Sequence, residues 1–239
     1  LKFYNLKKEP FQNVPDPEFL FMSASHREAL AAILYGVEQQ KGFITIIGEV
    51  GVGKTSILRY YLEQVKNENL KKVYIFNPHL TFAALLKTIL LKQGIPTRTD
   101  DAGELLNLFH QLLIDRFKNG INVALIIDEA QNMPIETLEN LRMLSNLETS
   151  KAKLLQIVLV GQPELEEKLQ RTELRQLRQR IAVRTTIRAL TREECKAYIQ
   201  HRLAKASLNG TAIFTPRALR KIIAESRGVP RLMNVLCDN

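Results

Sequence analysis

A short segment of the chain combines glycines, a lysine and a hydroxyl group at a spacing that suits phosphate binding. It reads Gly48-Glu49-Val50-Gly51-Val52-Gly53-Lys54-Thr55, which matches the pattern G-x-x-x-x-G-K-[ST]. The glycines let backbone N–H groups turn towards a polyphosphate, and Lys54 is expected to reach its β- and γ-phosphates. The Thr55 hydroxyl is expected to bind Mg²⁺, and Ser56 extends the set of residues expected to contact phosphate.

The flanks of this loop fit the motif, because strand, glycine loop and helix is the order that it requires. An apolar run over residues 43–47 precedes the loop, and a helix-like run over residues 56–65 follows it. The N-terminus of that helix would add its partial positive charge to the phosphate site. A glycine turn followed by a chance Lys-Thr pair is the alternative, and the flanking elements disfavour it.

Two adjacent carboxylates end another apolar run. Residues 123–127 are all apolar and lead directly into Asp128 and Glu129. Open α/β sheets bind ligands at the carboxyl ends of their strands, so Asp128 is expected to hold Mg²⁺, directly or through water. Glu129 is expected to orient and deprotonate an attacking water molecule. A purely structural acidic pair is the alternative, and the complete phosphate loop earlier in the chain weighs against it.

Two further residues are candidates for contacts with the γ-phosphate. Gln162 follows the apolar run 155–160, and its amide could sit between the water and the phosphate, although a simple turn residue is an equal alternative. Arg231 would start a helix from which its side chain could swing over the phosphates. A helix-start arginine in a basic region is the alternative for Arg231.

Three arginines between residues 174 and 181 are candidates for a group that one subunit supplies to the site of another. They are Arg175, Arg178 and Arg180. A guanidinium stabilises the negative charge that spreads over the γ-phosphate oxygens during phosphoryl transfer. We favour Arg178 or Arg180 without separating them, and surface or interface ion pairing is the alternative for each. An arginine acting in trans implies a homo-oligomer.

The remaining pattern predicts the elements that position these residues. Short apolar strands alternate with helices, which predicts a parallel sheet covered on both faces. The predicted strands are 43–47, 72–76, 123–127, 155–160 and 183–187. The predicted helices are 25–38, opened by a Ser25–Glu28 capping box, and 56–65, 82–91, 100–117 and 135–147. Beyond residue 190 only helices are predicted, starting at Thr191, Thr215 and Arg231.

This alternation predicts an α/β nucleotide-binding domain over residues 1–189 and a small helical lid over residues 190–239. Residues 1–24 are expected to form an extended segment packed on the nucleotide-binding domain. Asn77 and the proline after it are expected to close the second strand. Because the chain starts at Leu1 rather than Met, we expect it to be a segment of a longer protein.

Charge and composition narrow the range of partners. A hydrophobic content of 45% is typical of a globular protein, and the longest apolar runs are too short to cross a bilayer. Residues 168–239 carry 16 lysines and arginines against five aspartates and glutamates, a net charge of +11 within a total of +9. This basic segment is compatible with DNA, an anionic membrane surface or an acidic protein as partner, but a solvated helical surface with a few arginines directed at the nucleotide is the favoured interpretation. Cys195 and Cys237 lack metal-binding spacing, which favours reduced thiols in the cytosol.

Together these motifs resemble the AAA+ ATPases over nearly the whole chain. Residues 48–55 resemble their Walker A motif, residues 128–129 their Walker B motif, and residues 228–231 their sensor-two signature. Gln162 stands at the sensor-one position, where Asn, Thr or Ser is commoner, and residues 175–180 stand where the arginine finger is expected. The resemblance implies a P-loop NTPase fold, ATP and Mg²⁺ as cofactors, and hydrolysis of ATP to ADP and phosphate in an oligomer.

A narrower resemblance is to the general secretion pathway protein A (ExeA-type) ATPases. It is carried by Tyr4-Asn5-Leu6, Pro10-Phe11, Pro15-Asp16-Pro17-Glu18-Phe19-Leu20, Ser25-His26-Arg27-Glu28-Ala29-Leu30, Asp128-Glu129-Ala130-Gln131 and Val160-Gly161-Gln162-Pro163-Glu164-Leu165. It implies a cytoplasmic module, anchored through a later part of the parent protein, that works with an inner-membrane partner to assemble the type II secretion secretin through the cell wall.

The same pattern is shared with other ATPases. Much of the motif pattern of this chain also resembles the exosortase-associated ATPases and the TnsC/MuB-like transposition ATPases. A DNA-binding transposition regulator that uses ATP as an assembly switch is therefore the alternative, and the basic segment 168–239 motivates it. A nucleotide-binding scaffold without turnover is a weaker alternative, because Glu129 is intact.

Overall fold

The computed structural model describes residues 6–14, 16–76, 78–149, 152–207 and 213–238. The predictions that involve Tyr4, Asn5, Pro15 and Asn77 lie outside the described residues. The chain forms two compact units. The sheet unit comprises Leu30–Ile47 and Val65–Thr186, and the loop-and-lid unit comprises Leu1–Ala29, Gly48–Gln64 and Ile187–Asn239.

Five strands form one sheet in the order β2-β3-β4-β1-β5. Their bounds are β1 (Phe43–Gly48), β2 (Leu70–Phe76), β3 (Asn122–Asp128), β4 (Leu155–Gly161) and β5 (Ile181–Ile187). The pairs β2–β3, β3–β4 and β4–β1 are all parallel. The carboxyl ends of these four strands therefore lie at one edge of the sheet, and the predicted strands and parallel sheet are confirmed.

The described residues contain ten α-helices, and none of them combines the length and apolar character that crossing a bilayer requires. In the first part of the chain they are α1 (Ala24–Glu38), α2 (Lys54–Gln64), α3 (Phe82–Lys92), α4 (Ala102–Lys118) and α5 (Ile135–Leu144). The later helices are α6 (Pro163–Leu169), α7 (Arg175–Gln179), α8 (Arg192–Ala206), α9 (Pro216–Ser226) and α10 (Pro230–Asp238).

Helices cover both faces of the sheet. On one face, Leu125 of β3 and Ile157 of β4 belong to a buried cluster with residues of α3, α4 and α5. On the other face, α1 approaches β1 so closely that a Cβ at Gly36 would lie 2.4 Å from Cγ1 of Ile44. Burial of both faces explains why β1, β3 and β4 read as continuous apolar runs, while the outer strands β2 and β5 are only partly buried and carry polar residues.

The loop-and-lid unit has its own apolar core. Phe11 lies in it beside residues of α8, α9 and α10. The buried guanidinium of Arg202 in α8 donates hydrogen bonds to the backbone oxygens of Pro10 and Gln12. Pro17–Phe19 of the N-terminal segment contact both α2 and α8, so within this unit the segment packs on the helix after the phosphate loop as well as on the lid.

The start of α1 differs from the prediction. The expected capping box of Ser25 and Glu28 is wrong, because α1 begins at Ala24 and Ser25 lies inside its first turn. Ser23 Oγ instead accepts a hydrogen bond from the His26 N–H at 3.3 Å, and the Ser23 N–H points at His26 Nδ1 at 3.4 Å. Histidine thus takes the place that Glu or Gln usually has in a reciprocal cap.

Other helix boundaries follow local sequence signals closely. Asp101, Thr191 and Thr215 each cap a helix by accepting a hydrogen bond from a backbone N–H in its first turn. The second helix begins at Lys54, two residues earlier than expected, and α5 ends at Leu144 rather than near residue 147. The short helices α6 and α7 were not predicted, since they contain less than two full turns.

Candidate functional site

The phosphate loop folds back on itself around the side chain of Lys54. Gly51 and Gly53 have φ angles of +79° and +105°, which favour glycine. The Lys54 ammonium donates hydrogen bonds to the backbone oxygens of Gly48 at 2.7 Å and Glu49 at 3.0 Å. Its positive charge is therefore held against the first residues of the loop, and the side chain is only 6% exposed.

The helix that follows the loop begins within the motif. Because α2 starts at Lys54, Thr55 and Ser56 lie in its first turn. The first N–H groups of a helix have no partner inside the helix, and they carry its partial positive charge. Glu49 and Val50 lie at the exposed tip of the loop. These hydroxyl and N–H groups therefore lie directly after the phosphate loop, and their contact with phosphate stays a prediction.

The start of α10 packs directly against the phosphate loop. The Arg231 N–H donates a hydrogen bond to the Gly51 oxygen at 3.2 Å. A Cβ at Gly51 would lie 2.8 Å from the Cβ of Arg231 and 3.1 Å from Cγ1 of Val229. The Arg231 side chain is exposed in the first turn of the helix, which begins at Pro230. The prediction of a helix start at this arginine is confirmed.

This close approach predicts that Gly51→Ala lowers the free energy of unfolding. The substitution adds backbone strain of about 1–2 kcal/mol at a positive φ, and its Cβ also collides with Arg231. Gly94→Ala is the matched control, because Gly94 has a φ of +82° and nothing within 4 Å of an added Cβ. Urea unfolding should show a larger decrease in the free energy of unfolding for Gly51→Ala than for Gly94→Ala. Equal decreases would show that the contact between Gly51 and α10 does not contribute to stability.

In the sheet unit, the Asp128 carboxylate is fully buried and held in a fixed orientation. Asp128 is the last residue of β3 and is 0% exposed. Tyr74 in the neighbouring strand donates its hydroxyl proton to Oδ2 at 3.1 Å, and the Glu129 N–H donates to Oδ1 at 2.9 Å. Both bonds stabilise the ionised carboxylate. The role of Tyr74 was not predicted, because it depends on the register of two strands.

Glu129 lies at the centre of a network of amide groups. Its backbone is left-handed, with φ of +56°. The side-chain amides of Gln131 and Gln162 donate to its Oε2 at 2.6 Å and 3.0 Å. The Gln162 N–H also donates to Oε1 of Gln131 at 3.2 Å. Two separate segments of the chain therefore position one carboxylate.

Gln162 follows β4 directly, at the strand end where the sequence placed it. It precedes α6 and is therefore a turn residue before Pro163, while its contact with the γ-phosphate stays a prediction. The neighbouring Gly161 has no room for a side chain, since a Cβ there would lie 2.8 Å from Oε1 of Gln131. This close approach brings the amides of Gln131 and Gln162 onto the same carboxylate.

Lys168 supports the segment that follows Glu129, and sequence reasoning missed it. Its ammonium donates to the backbone oxygens of Gln131 and Met133. Burial lowers the pKa of Lys168, and the charge of Arg171 lowers it further. No local sequence signal marks this lysine, because its partners lie more than 30 residues earlier in the chain.

The three candidate arginines have different surroundings. Arg180 donates to Oγ of the buried Ser145 at 2.6 Å, and Arg178 donates to Oε1 of Gln170 at 2.5 Å. Arg175 is exposed, and its side chain forms no hydrogen bond or ion pair with the residues that the structure describes. None of these contacts involves Asp128 or Glu129.

The sequence that forms this site matches a known protein family. Residues 37–169, more than half of the chain, match the AAA domain family. The chain belongs to the AAA domain family. The matched segment contains the phosphate loop, the acidic pair and Gln162, so the resemblance to AAA+ proteins inferred from the motifs is confirmed.

A curated relative of this AAA domain is the General secretion pathway protein A of Aeromonas hydrophila. The two sequences are 41% identical over 238 residues, which is 99% of this chain and 43% of the relative. The narrower resemblance inferred from the sequence is therefore confirmed. The chain spans less than half the length of that protein.

Solved structures show the same AAA fold at low sequence identity. The Aeropyrum pernix ORC2 protein, in ADPNP-ADP complexes, has a TM-score of 0.70 and 18% identity, with 97% of this chain and 65% of that chain covered. Cdc6p from Pyrobaculum aerophilum has a TM-score of 0.68 and 18% identity, with coverage of 92% and 63%. Thermotoga maritima RuvB T158V has a TM-score of 0.56 and 17% identity, with coverage of 91% and 60%. They confirm the predicted P-loop fold.

Proposed function

We propose that this chain binds ATP and hydrolyses it to ADP and phosphate, as the AAA+ module of a general secretion pathway assembly protein. In this proposal residues 1–189 form the nucleotide-binding domain and residues 190–239 the lid. The observation that carries it is the presence of a complete phosphate loop and an acidic strand end in a chain 41% identical to General secretion pathway protein A.

The residues have separate roles in the proposed reaction. Residues 48–56 bind the phosphates, with Lys54 compensating the charge of the β- and γ-phosphates. Glu129 accepts a proton from the attacking water, and the amides of Gln131 and Gln162 keep its Oε2 in place. A general base must lie within hydrogen-bond reach of the water that it deprotonates, so a carboxylate held in one direction suits this role. Gln162 senses the γ-phosphate, and Arg231 does so from the lid.

The donor set fits a magnesium ion. Mg²⁺ prefers oxygen ligands and is usually held by one or two carboxylates together with substrate phosphates. The Thr55 hydroxyl and the buried Asp128 carboxylate would hold it. When bound, the ion neutralises charge on the β- and γ-phosphates.

The secretion role rests on the relative rather than on the geometry. We propose that the module lies in the cytoplasm, where ATP is available, and acts as a homo-oligomer with an inner-membrane partner protein. The output would be assembly of the secretin through the cell wall. The similarity over 99% of the chain supports this role, since it includes the N-terminal segment and the lid as well as the common AAA motifs.

A DNA-binding ATPase is the second candidate, and a basic stripe on α9 favours it. Arg217, Arg220 and Lys221 are exposed and share one face of this helix, while Ile222 and Ile223 are buried. Aeropyrum pernix ORC1, solved in complex with DNA, has the same fold with a TM-score of 0.63. Phosphate contacts by such a stripe would make DNA binding strongly salt-dependent.

One experiment separates the two functions. Phosphate release would be measured with Mg-ATP, with and without duplex DNA, from about 50 to 200 mM salt. We expect turnover by the native chain, none by Lys54→Ala, and no stimulation by DNA. Stimulation that disappears when Arg217, Arg220 and Lys221 are all replaced by glutamate would instead establish the DNA-binding function. No phosphate release by the native chain under any condition would contradict the ATPase proposal.

A further inference from the structure

His26 is a buried side chain that contacts the phosphate loop and has no role in the reaction proposed above. It lies in the first turn of α1 and is 3% exposed. Its Nε2 lies 2.9 Å from the backbone oxygen of Val52. A Cβ at Gly53 would lie 2.7 Å from the same nitrogen. The imidazole therefore fills the space beside two consecutive residues of the loop.

The contact with Val52 fixes the tautomer of the ring. A carbonyl oxygen can only accept a hydrogen bond, so Nε2 carries the proton and Nδ1 is the acceptor. Nδ1 lies 2.7 Å from Ser23 Oγ and so accepts the proton of that hydroxyl. Both ring nitrogens thus have partners, and neutral histidine satisfies them both.

The hydrogen bonds form a directed chain from the segment that leads into the lid to the phosphate loop. The N–H of Arg188, which follows β5, donates to Ser25 Oγ at 3.3 Å. Ser25 Oγ lies 3.2 Å from Ser23 Oγ, which donates to His26, and His26 donates to Val52. Each member donates in the same direction, an arrangement in which successive bonds polarise one another.

A second contact ties the same turn of α1 to the lid. The Ala24 N–H donates to Oε1 of Glu194 at 3.0 Å, and Glu194 also completes the capping box of α8 with Thr191. Burial lowers the pKa of His26, while the bond to Val52 and the charge of Glu194 act in the opposite direction. Arg27 is the other charged group that acts on Glu194 here. The ring is therefore neutral at neutral pH, as the chain of bonds requires.

We propose that His26 is a positioning residue that holds the phosphate loop through Val52 and couples its backbone to the start of the lid. This inference rests on the proposed binding of ATP at the loop. A group that fixes the loop before nucleotide arrives lowers the ordering cost of binding. Loss of the bond to Val52 would leave a buried carbonyl without its partner and free the loop to move.

Three variants separate anchoring of the loop from capping of α1. The amide nitrogen of glutamine in His26→Gln can take the place of Nε2 and reach Val52. Asparagine in His26→Asn can take the place of Nδ1 and reach only Ser23. His79→Gln is the control, because His79 is exposed and lies between β2 and α3, outside the phosphate loop and outside α1.

The measurement is the affinity for Mg-ADPNP by calorimetry, together with the thermal midpoint of each variant. We expect His26→Asn to weaken binding about tenfold, and His26→Gln and His79→Gln to stay within about threefold of the native chain. Equal affinities for the Gln and Asn variants at position 26, whether reduced together or both unchanged, would overturn the proposal.

An independent measurement keeps the test decisive if a variant fails to fold or the native chain binds no nucleotide. Nitrogen-15 NMR of the native chain reports the tautomer of His26, and the proposal requires the neutral form protonated at Nε2 at about pH 8. A ring protonated at Nδ1, or charged, would overturn it. Absence of nucleotide binding with the expected tautomer would instead refute the proposed function and remove the basis for a positioning role.

Discussion

Replacement of Glu129 by glutamine should lower ATP turnover by about 10²–10⁴-fold and leave the affinity for Mg-ADPNP within about twofold. Glutamine has the size of glutamate but cannot accept a proton from water. In the native network, Oε2 of Glu129 accepts bonds from both Gln131 and Gln162. Glutamine could still accept them through its amide oxygen, so the loss should fall on the chemical step rather than on the fold.

Steady-state phosphate release and calorimetric binding, measured on the same preparation, check this expectation. Glu136→Gln is the matched control, because Glu136 is exposed in the first turn of α5. It should hydrolyse ATP at the native rate. Native turnover by Glu129→Gln would remove this residue from the role of general base.

Replacement of the arginine that one subunit supplies to the site of another should have the second large effect on ATP turnover. Removal of a finger arginine lowers turnover by about 10³–10⁵-fold in related phosphoryl-transfer systems, and nucleotide binding should persist. Arg180 is held by the buried Ser145, so Arg180→Ala should also lower thermal stability. Among the described residues the Arg178 side chain bonds only to Gln170, so Arg178→Ala should lose turnover without unfolding.

Mixing inactive variants tests whether the arginine acts across subunits. Arg178→Ala retains Glu129, and Glu129→Gln retains Arg178, so a mixed oligomer contains some sites with both groups. We expect phosphate release to recover on mixing and to rise with protein concentration as oligomers form. Arg171→Ala, at an exposed arginine nearby, is the control that should stay active. Turnover per chain that is independent of concentration, with no recovery on mixing, would exclude an arginine in trans.

Local sequence signals predicted the parts of the fold that depend on neighbours in the chain. The phosphate loop, the strand that ends at Asp128 and the helix starts after Thr191 and Thr215 are each encoded within a few residues. Such signals combine apolar runs, glycines and capping side chains, whose effects act over one or two turns. At the start of α1 the same reasoning chose the wrong serine, because histidine is not a usual partner in a reciprocal cap.

The contacts that orient the candidate catalytic groups could not be predicted in the same way. Tyr74 and Asp128 are 54 residues apart, and Gln162 and Glu129 are 33 residues apart. Their meeting depends on strand order, register and side-chain direction, which are set by the packing of the whole sheet. The bond of His26 to Val52 could not be predicted either, because it depends on how α1 meets the loop.

The proposed function requires that the phosphate loop and the acidic strand end bind the same metal-bound triphosphate. The most direct measurement is an anomalous difference map from crystals grown with ADPNP and Mn²⁺ in place of Mg²⁺. We expect the triphosphate along residues 48–56, with the manganese peak held by the Thr55 hydroxyl and by Asp128, directly or through water. A triphosphate bound elsewhere, or a metal that neither residue contacts, would contradict it.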